Sequence, residues 1–195
     1  MIAKPKDWDT AQAFTGEGQA MTPGGHVVRI LSMRQELSRN NRPMVVLTFD
    51  IDEGGELDGF YRRQYDAARR TNDQAKWRGV IRYMLYAKDG EHTNGFFKGL
   101  IDAIEKSNPG WRWGWDESAC AGKMVGMVFG EEEYRAQDGS VRVSVKAQQA
   151  RSVQAIREGV PVPERKRLPK EEPGYAPFDP GAGFTRAEEP LPWEV

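Results

Sequence analysis

A period-two side-chain pattern in β-branched and aromatic runs is the feature that most limits what this chain can fold into. In residues 44–52, MVVLTFDID, Val45, Leu47, Phe49 and Ile51 share one face and Met44, Val46, Thr48 and Asp50 the other. In residues 140–149, SVRVSVKAQQ, Val141, Val143 and Val145 alternate with Arg142, Ser144, Lys146 and Gln148. β-Branched and aromatic residues at period two belong on a pleated strand, half buried and half wet. Three further runs carry strand signals. HVVRILSMR follows Pro23-Gly24-Gly25. GFYRRQY sets Tyr61, Arg63 and Tyr65 against Phe60, Arg62 and Gln64, and is expected to be the third strand. GKMVGMVFGEEEYR, residues 122–135, has Gly126 and Gly130 where bends or bulges belong. Asn40-Asn41 and Asp138-Gly139 supply turns.

One helix interrupts this pattern. Phe96, Leu100, Ile101 and Ile104 form an apolar stripe over residues 95–107, with Lys98, Asp102, Glu105 and Lys106 facing away. Asn94 is placed to cap it, and Pro109 prevents its continuation. Trp77, Ile81, Met84 and Leu85 also fall near helical spacing, so a second helix is expected around residues 76–86. The order β-β-β, helix, β-β is that of a mainly β, five-stranded OB-fold barrel with its helix between strands 3 and 4. Closure removes the sheet edges that an open sheet exposes.

The charge is unevenly placed. Six carboxylates against Arg186 give residues 171–195 a charge of −5, so residues 1–170 carry +4 of the net −1. Six of the twelve prolines stand at or after position 169, in a stretch short of β-branched residues. Such a segment buries too little apolar surface to offset the entropy of ordering. The expected organisation is a flexible arm over residues 1–23, a folded domain over 24–160 and a disordered acidic tail over 161–195. Cys120 is the single cysteine, so no internal disulfide forms. With no apolar run in MIAKPKDWDT and no membrane-length apolar stretch, a cytoplasmic protein is expected.

Catalytic signals are thin, and neither an enzyme nor a cofactor is expected. His26 and His92 stand in different segments without partners at metal spacing, and no phosphate-loop sequence is present. Glu131-Glu132-Glu133 reads as a solvated strand end rather than a metal site. A different constellation fills residues 60–86: Arg62, Arg63, Arg69, Arg70, Lys76, Arg78 and Arg82 stand against only Asp66 and Asp73, interleaved with Phe60, Tyr61, Tyr65, Trp77, Tyr83 and Tyr86. Single strands need both ingredients. Cations neutralise phosphates and release counterions, and aromatic faces stack on bases for roughly 1–3 kcal/mol each. Tyr134, Arg142 and Lys146 offer a second surface for the same groove. At the other end, Glu188, Glu189, Pro192 and Trp193 make a peptide suited to a basic pocket with an apolar floor.

NGFFKGLIDAIEKSNPGWRW followed by GKMVGMVFGEEEYRAQDGSVRVSVKAQQARSVQAIREG resembles a group of bacteriophage and prophage single-stranded-DNA-binding proteins with an OB fold. The likeness covers about residues 22–160 and is densest over 94–158. It implies sequence-independent binding of single-stranded DNA in phage replication or recombination, in the host cytoplasm, without metal or cofactor. Proteins of this kind often recruit replication partners through an acidic tip ending in Pro-Phe. Pro192-Trp193 is similar, although Glu194-Val195 follow and the acidic run is short. The expected partners are therefore single-stranded DNA and, through the tail, replication or recombination proteins, with a homo-oligomer allowed. A protein-interaction module of a phage assembly and an RNA-binding protein are the competing readings.

Overall fold

The longest strand of the computed structural model, β1 (Gly24–Leu37), is bent by a register shift between Ile30 and Ser32 and serves two partners. Its first half pairs with β4 (Met124–Arg135), Gly25 opposite Val128 and Val28 opposite Val125. From Val28 to Leu37 it pairs with β2 (Pro43–Ile51), Met33 opposite Leu47. A bulge makes this possible because the extra residue sharpens the local bend and twist. Residues 3–6, 8, 9 and 19–169 are described. All five strands are antiparallel neighbours in one sheet of order β3-β2-β1-β4-β5, with β3 at Val80–Met84 and β5 at Val141–Arg151.

The core lies where the bent sheet meets α2 (Gly95–Ser107). Val28, Ile30, Leu47, Phe49, Val125, Met127 and Phe129 come from the strands, and Phe97, Leu100, Ile101 and Ile104 from the helix. Asn94 caps α2 as its sequence suggests, its Oδ1 accepting from Phe96 N at 2.9 Å. Past the helix, Asn108 ties its end to β4: Nδ2 donates to Met124 O at 2.8 Å and Oδ1 accepts from Met124 N at 3.1 Å. The short helix α3 (Val153–Glu158) returns across β4. Gly126 is not a bend there but a contact point, since a Cβ on it would stand 2.3 Å from Ile156 Cγ1. The actual bulge falls between Val128 and Phe129.

Two elements differ from expectation. Residues 60–65 are not a third strand but the start of α1 (Phe60–Arg69). Tyr61, Arg63 and Tyr65 alternate as a strand face would, but the buried residues are Phe60 and Tyr61, which open the first turn of the helix. Asp50 of β2 selects the helix. Its buried carboxylate accepts from Tyr61 N at 2.9 Å and Arg62 N at 3.1 Å, satisfying two of the orphan donors of the first turn from a distant strand. Conversely, the helix expected at residues 76–86 is strand β3, which pairs Leu47 with Ile81 and Val45 with Tyr83. Gly79 makes the approach possible, since Phe49 N donates to Gly79 O at 2.8 Å and a Cβ on Gly79 would lie 2.2 Å from Phe49 O.

The sheet is also not closed into a barrel. β3 and β5 are its two edges and no ladder joins them. β3 has only five residues, and Phe60, Tyr61 and Trp77 line the space between the edges. At the termini, Met21, within the expected flexible arm, is buried in the core. Residues 161–169, expected in the tail, run beside β4: Lys166 N donates to Glu131 O and Glu133 N to Lys166 O, both at 2.9 Å. The rest of the tail, with Glu188, Glu189, Pro192 and Trp193, lies outside the described residues.

Candidate nucleic-acid interface

A cleft of about 680 Å³ separates the β3 and β5 edges. Its floor is Phe49, Phe60 and Tyr61, three rings in edge-to-face contact. Its walls carry Gln64 of α1, Trp77 and Arg78 of the segment entering β3, Arg82 of β3 and Lys146 of β5. The lining holds three cations and no carboxylate. Among the described residues neither Arg78 nor Arg82 has an ion-pair partner, while Lys146 stands 3.4 Å from Glu132.

Trp77 is fixed by three contacts. Its Nε1 donates to Phe49 O at 3.0 Å, its ring meets Tyr65 at 5.6 Å between centroids, and the Arg62 guanidinium lies over it at 5.6 Å. Arg69 in turn stands over Tyr65 at 5.9 Å. α1 thus presents Arg62, Tyr65 and Arg69 on one side, next to Trp77, as alternating cationic and aromatic surfaces. Stacked arginine on aromatic rings is a favourable pair in its own right and leaves the remaining guanidinium donors available.

The residues singled out from sequence divide accordingly. Arg62, Tyr65, Arg69, Trp77, Arg78, Arg82 and Lys146 line the cleft or the α1 face beside it. Tyr61 is core: it is 7% exposed, and burial, with Asp50 adding its charge, pushes its hydroxyl far above the usual range. Arg63 is a tether, donating to the carbonyls of Asp58 and Glu56 and to Gln19 Oε1 at 2.8 Å. Arg70 ends α1, and Lys76 is exposed one residue before Trp77. Tyr134 and Arg142 are directly opposed on the β4–β5 hairpin, where Arg142 is paired to Asp138 at 2.6 Å. Gln64 and the capping Asp50 were not legible, because both take their places only once residues 60–69 are helical.

Groups with catalytic potential are engaged elsewhere. His26 is buried, with Nδ1 2.9 Å from Glu53 Oε1 and Nε2 3.0 Å from Thr22 O. His92 sits on the surface, 2.9 Å from Asp89. Burial pushes the Cys120 thiol up to about 11, with Asp116 and Glu117 adding to the shift, so little thiolate forms at neutral pH. Glu131 and Glu132 hold Arg165 at 2.6 Å and Lys166 at 2.9 Å. Among the described residues no group of three or more His, Cys, Asp or Glu is placed to share a metal ion, and no helix is long and apolar enough to cross a membrane. Comparison of the chain with protein-family models and with curated proteins gives no match.

Proposed function

We propose that the protein is an OB-type module that binds single-stranded DNA without strong sequence preference, with the β3–β5 cleft and the adjoining α1 face as its site. The observation that carries this reading is the composition of the cleft: Trp77, Arg78, Arg82 and Lys146 over an aromatic floor, with no carboxylate in the lining. Phosphates gain from the cations through counterion release, and bases of any identity gain from stacking on ring faces. The OB reading rests on two features, the strand order β3-β2-β1-β4-β5 and the position of α2 between β3 and β4. An OB-fold is a partly open Greek-key barrel, so facing but unpaired edges are compatible with it. A role in phage DNA replication or recombination follows from the resemblance of residues 94–158 and is proposed on that ground.

Duplex is the weaker ligand in this account, because stacking on the ring faces of the cleft needs unstacked bases, which a single strand offers and a duplex does not. A binding series with single-stranded DNA, duplex DNA and single-stranded RNA of equal length tests the proposal. It predicts preference for single strands over duplex and a steep loss of affinity with salt. Equal or tighter binding to duplex overturns it, and tighter binding to RNA moves the assignment to an RNA-binding protein, since stacking and phosphate contacts serve both polymers.

A further inference from the structure

We infer that the path of the bound strand continues past the Trp77 cleft into a second groove, where Phe96, Lys88 and Arg151 hold the next nucleotides. This rests on the reading of the Trp77 cleft as a single-strand site. The gap between β3 and β5 has two ends. At one, Val80 and Arg82 face residues 143–147; at the other, Tyr83 and the following Ala87 and Lys88 face residues 149–151. The two strands therefore run the same way, and a ligand laid along the gap from Lys146 to Arg151 travels about 17 Å at strand rise. That distance lies within the reach of one OB-type binding site of about 4–16 nucleotides.

The second groove, about 530 Å³, also combines an aromatic ring with cations, in a more apolar lining than the first. Phe96 lines it at 66% exposure. Every other large apolar residue of α2 is buried, so this ring contributes nothing to the core that its neighbours do not already supply. Gly95 and Gly99 flank it in the lining, and a Cβ at either would meet nothing within 4 Å, which leaves open surface for a flat ligand beside the ring. Lys88 and Arg151 are the charged residues of the lining, and no carboxylate is among them. The first turn of α2 is likewise free of acidic residues. The nearest carboxylate in sequence, Asp89, follows Lys88 outside the lining, and its hydrogen bonds from His92 and from the backbone N–H groups of Glu91 and His92 hold it ionised. An exposed aromatic sharing a groove with two cations, further along the same β3–β5 gap as the cationic cleft, fits a base and its flanking phosphates.

Length-dependent binding separates the two grooves. Fluorescence anisotropy is measured with oligothymidylates of about 4 and about 16 nucleotides, the two ends of the range for a single OB module. Phe96→Ala is expected to weaken binding of the long oligonucleotide about fivefold or more, as loss of one stacked base requires, and to leave the short one unchanged. Phe96→Trp should restore the long-strand affinity and add fluorescence quenched by the long strand alone. Arg82→Ala should weaken both lengths. Melting curves should be unaltered by Phe96→Ala because the ring is exposed. If Phe96→Ala binds the long strand like the wild type while Arg82→Ala is impaired, the second groove is wrong and the first stands. If neither variant changes either affinity, the reading of the cleft itself fails. Equal loss at both lengths places Phe96 in the primary cleft and overturns the two-groove path.

Discussion

Trp77 belongs both to the packing of the fold and to the proposed site. Its indole N–H holds the carbonyl of Phe49 while one ring face receives Arg62. Trp77→Ala is therefore expected to lower the melting temperature and to weaken single-strand binding, whereas Trp77→Phe, which keeps most of the packing, loses mainly the hydrogen bond. Paired melts and titrations check this, and a Trp77→Ala protein that binds normally would remove the ring from the site. The arginines divide in the same way. Arg82→Ala should reduce the salt dependence of binding by about one phosphate contact, while Arg63→Ala leaves it unchanged and loosens the loop at residues 56–59. The buried tyrosines set an alkaline limit. Burial raises the Tyr83 hydroxyl to about 12 and Tyr61 higher still, favouring the neutral phenol in the folded state. The stability they contribute is full below the ordinary tyrosine value of about 10 and is lost as pH rises through the folded values. Spectroscopic titration of phenolate should show these two ionising only as the fold is lost; smooth titration of all six tyrosines near pH 10 contradicts the burial.

Among the elements, those whose pattern is decided locally were legible and those decided by a distant partner were not. β2, β5 and α2 declare themselves because alternation, a cap and a proline stop all act within a dozen residues. α1 does not, because Tyr61, Arg63 and Tyr65 fit a strand until Asp50, a residue of β2, supplies the missing helix cap. β3 does not, because Trp77, Ile81, Met84 and Leu85 fit a helix until β2 offers a ladder and Gly79 lets the chain come close enough to take it. The site suffered the same ambiguity: its cations and aromatics stand out in composition, but whether a given ring is floor or wall depends on which element carries it. Asp50→Ala is expected to destabilise the protein by about 1–2 kcal/mol, the upper range for a lost cap, with α1 showing the largest rise in hydrogen exchange. Leu100→Ala, which empties the fully buried face of α2, should cost about 2–5 kcal/mol with exchange rising throughout the core.

At the scale of the whole molecule, the fold is a bent sheet whose two edges face each other without pairing, and the cationic cleft is the consequence of that opening. The same chain then uses residues 165–168 to cover the free distal edge of β4 and to neutralise two of its three glutamates. Cutting the chain after Pro169 should leave the melting temperature nearly unchanged, whereas cutting after Gly159 uncovers that edge and should lower it. In the proposed site the phosphates are held by Arg78, Arg82 and Lys146. The most direct measurement is the slope of log affinity against log salt for single-stranded DNA, compared between the wild type and the triple variant Arg78→Ala, Arg82→Ala, Lys146→Ala. Loss of three contacts predicts a slope shallower by about two, at the rate of about 0.7 per phosphate for single strands, with the fold intact. An unchanged slope in a folded variant would contradict the account, because the phosphates would then be held elsewhere on the molecule.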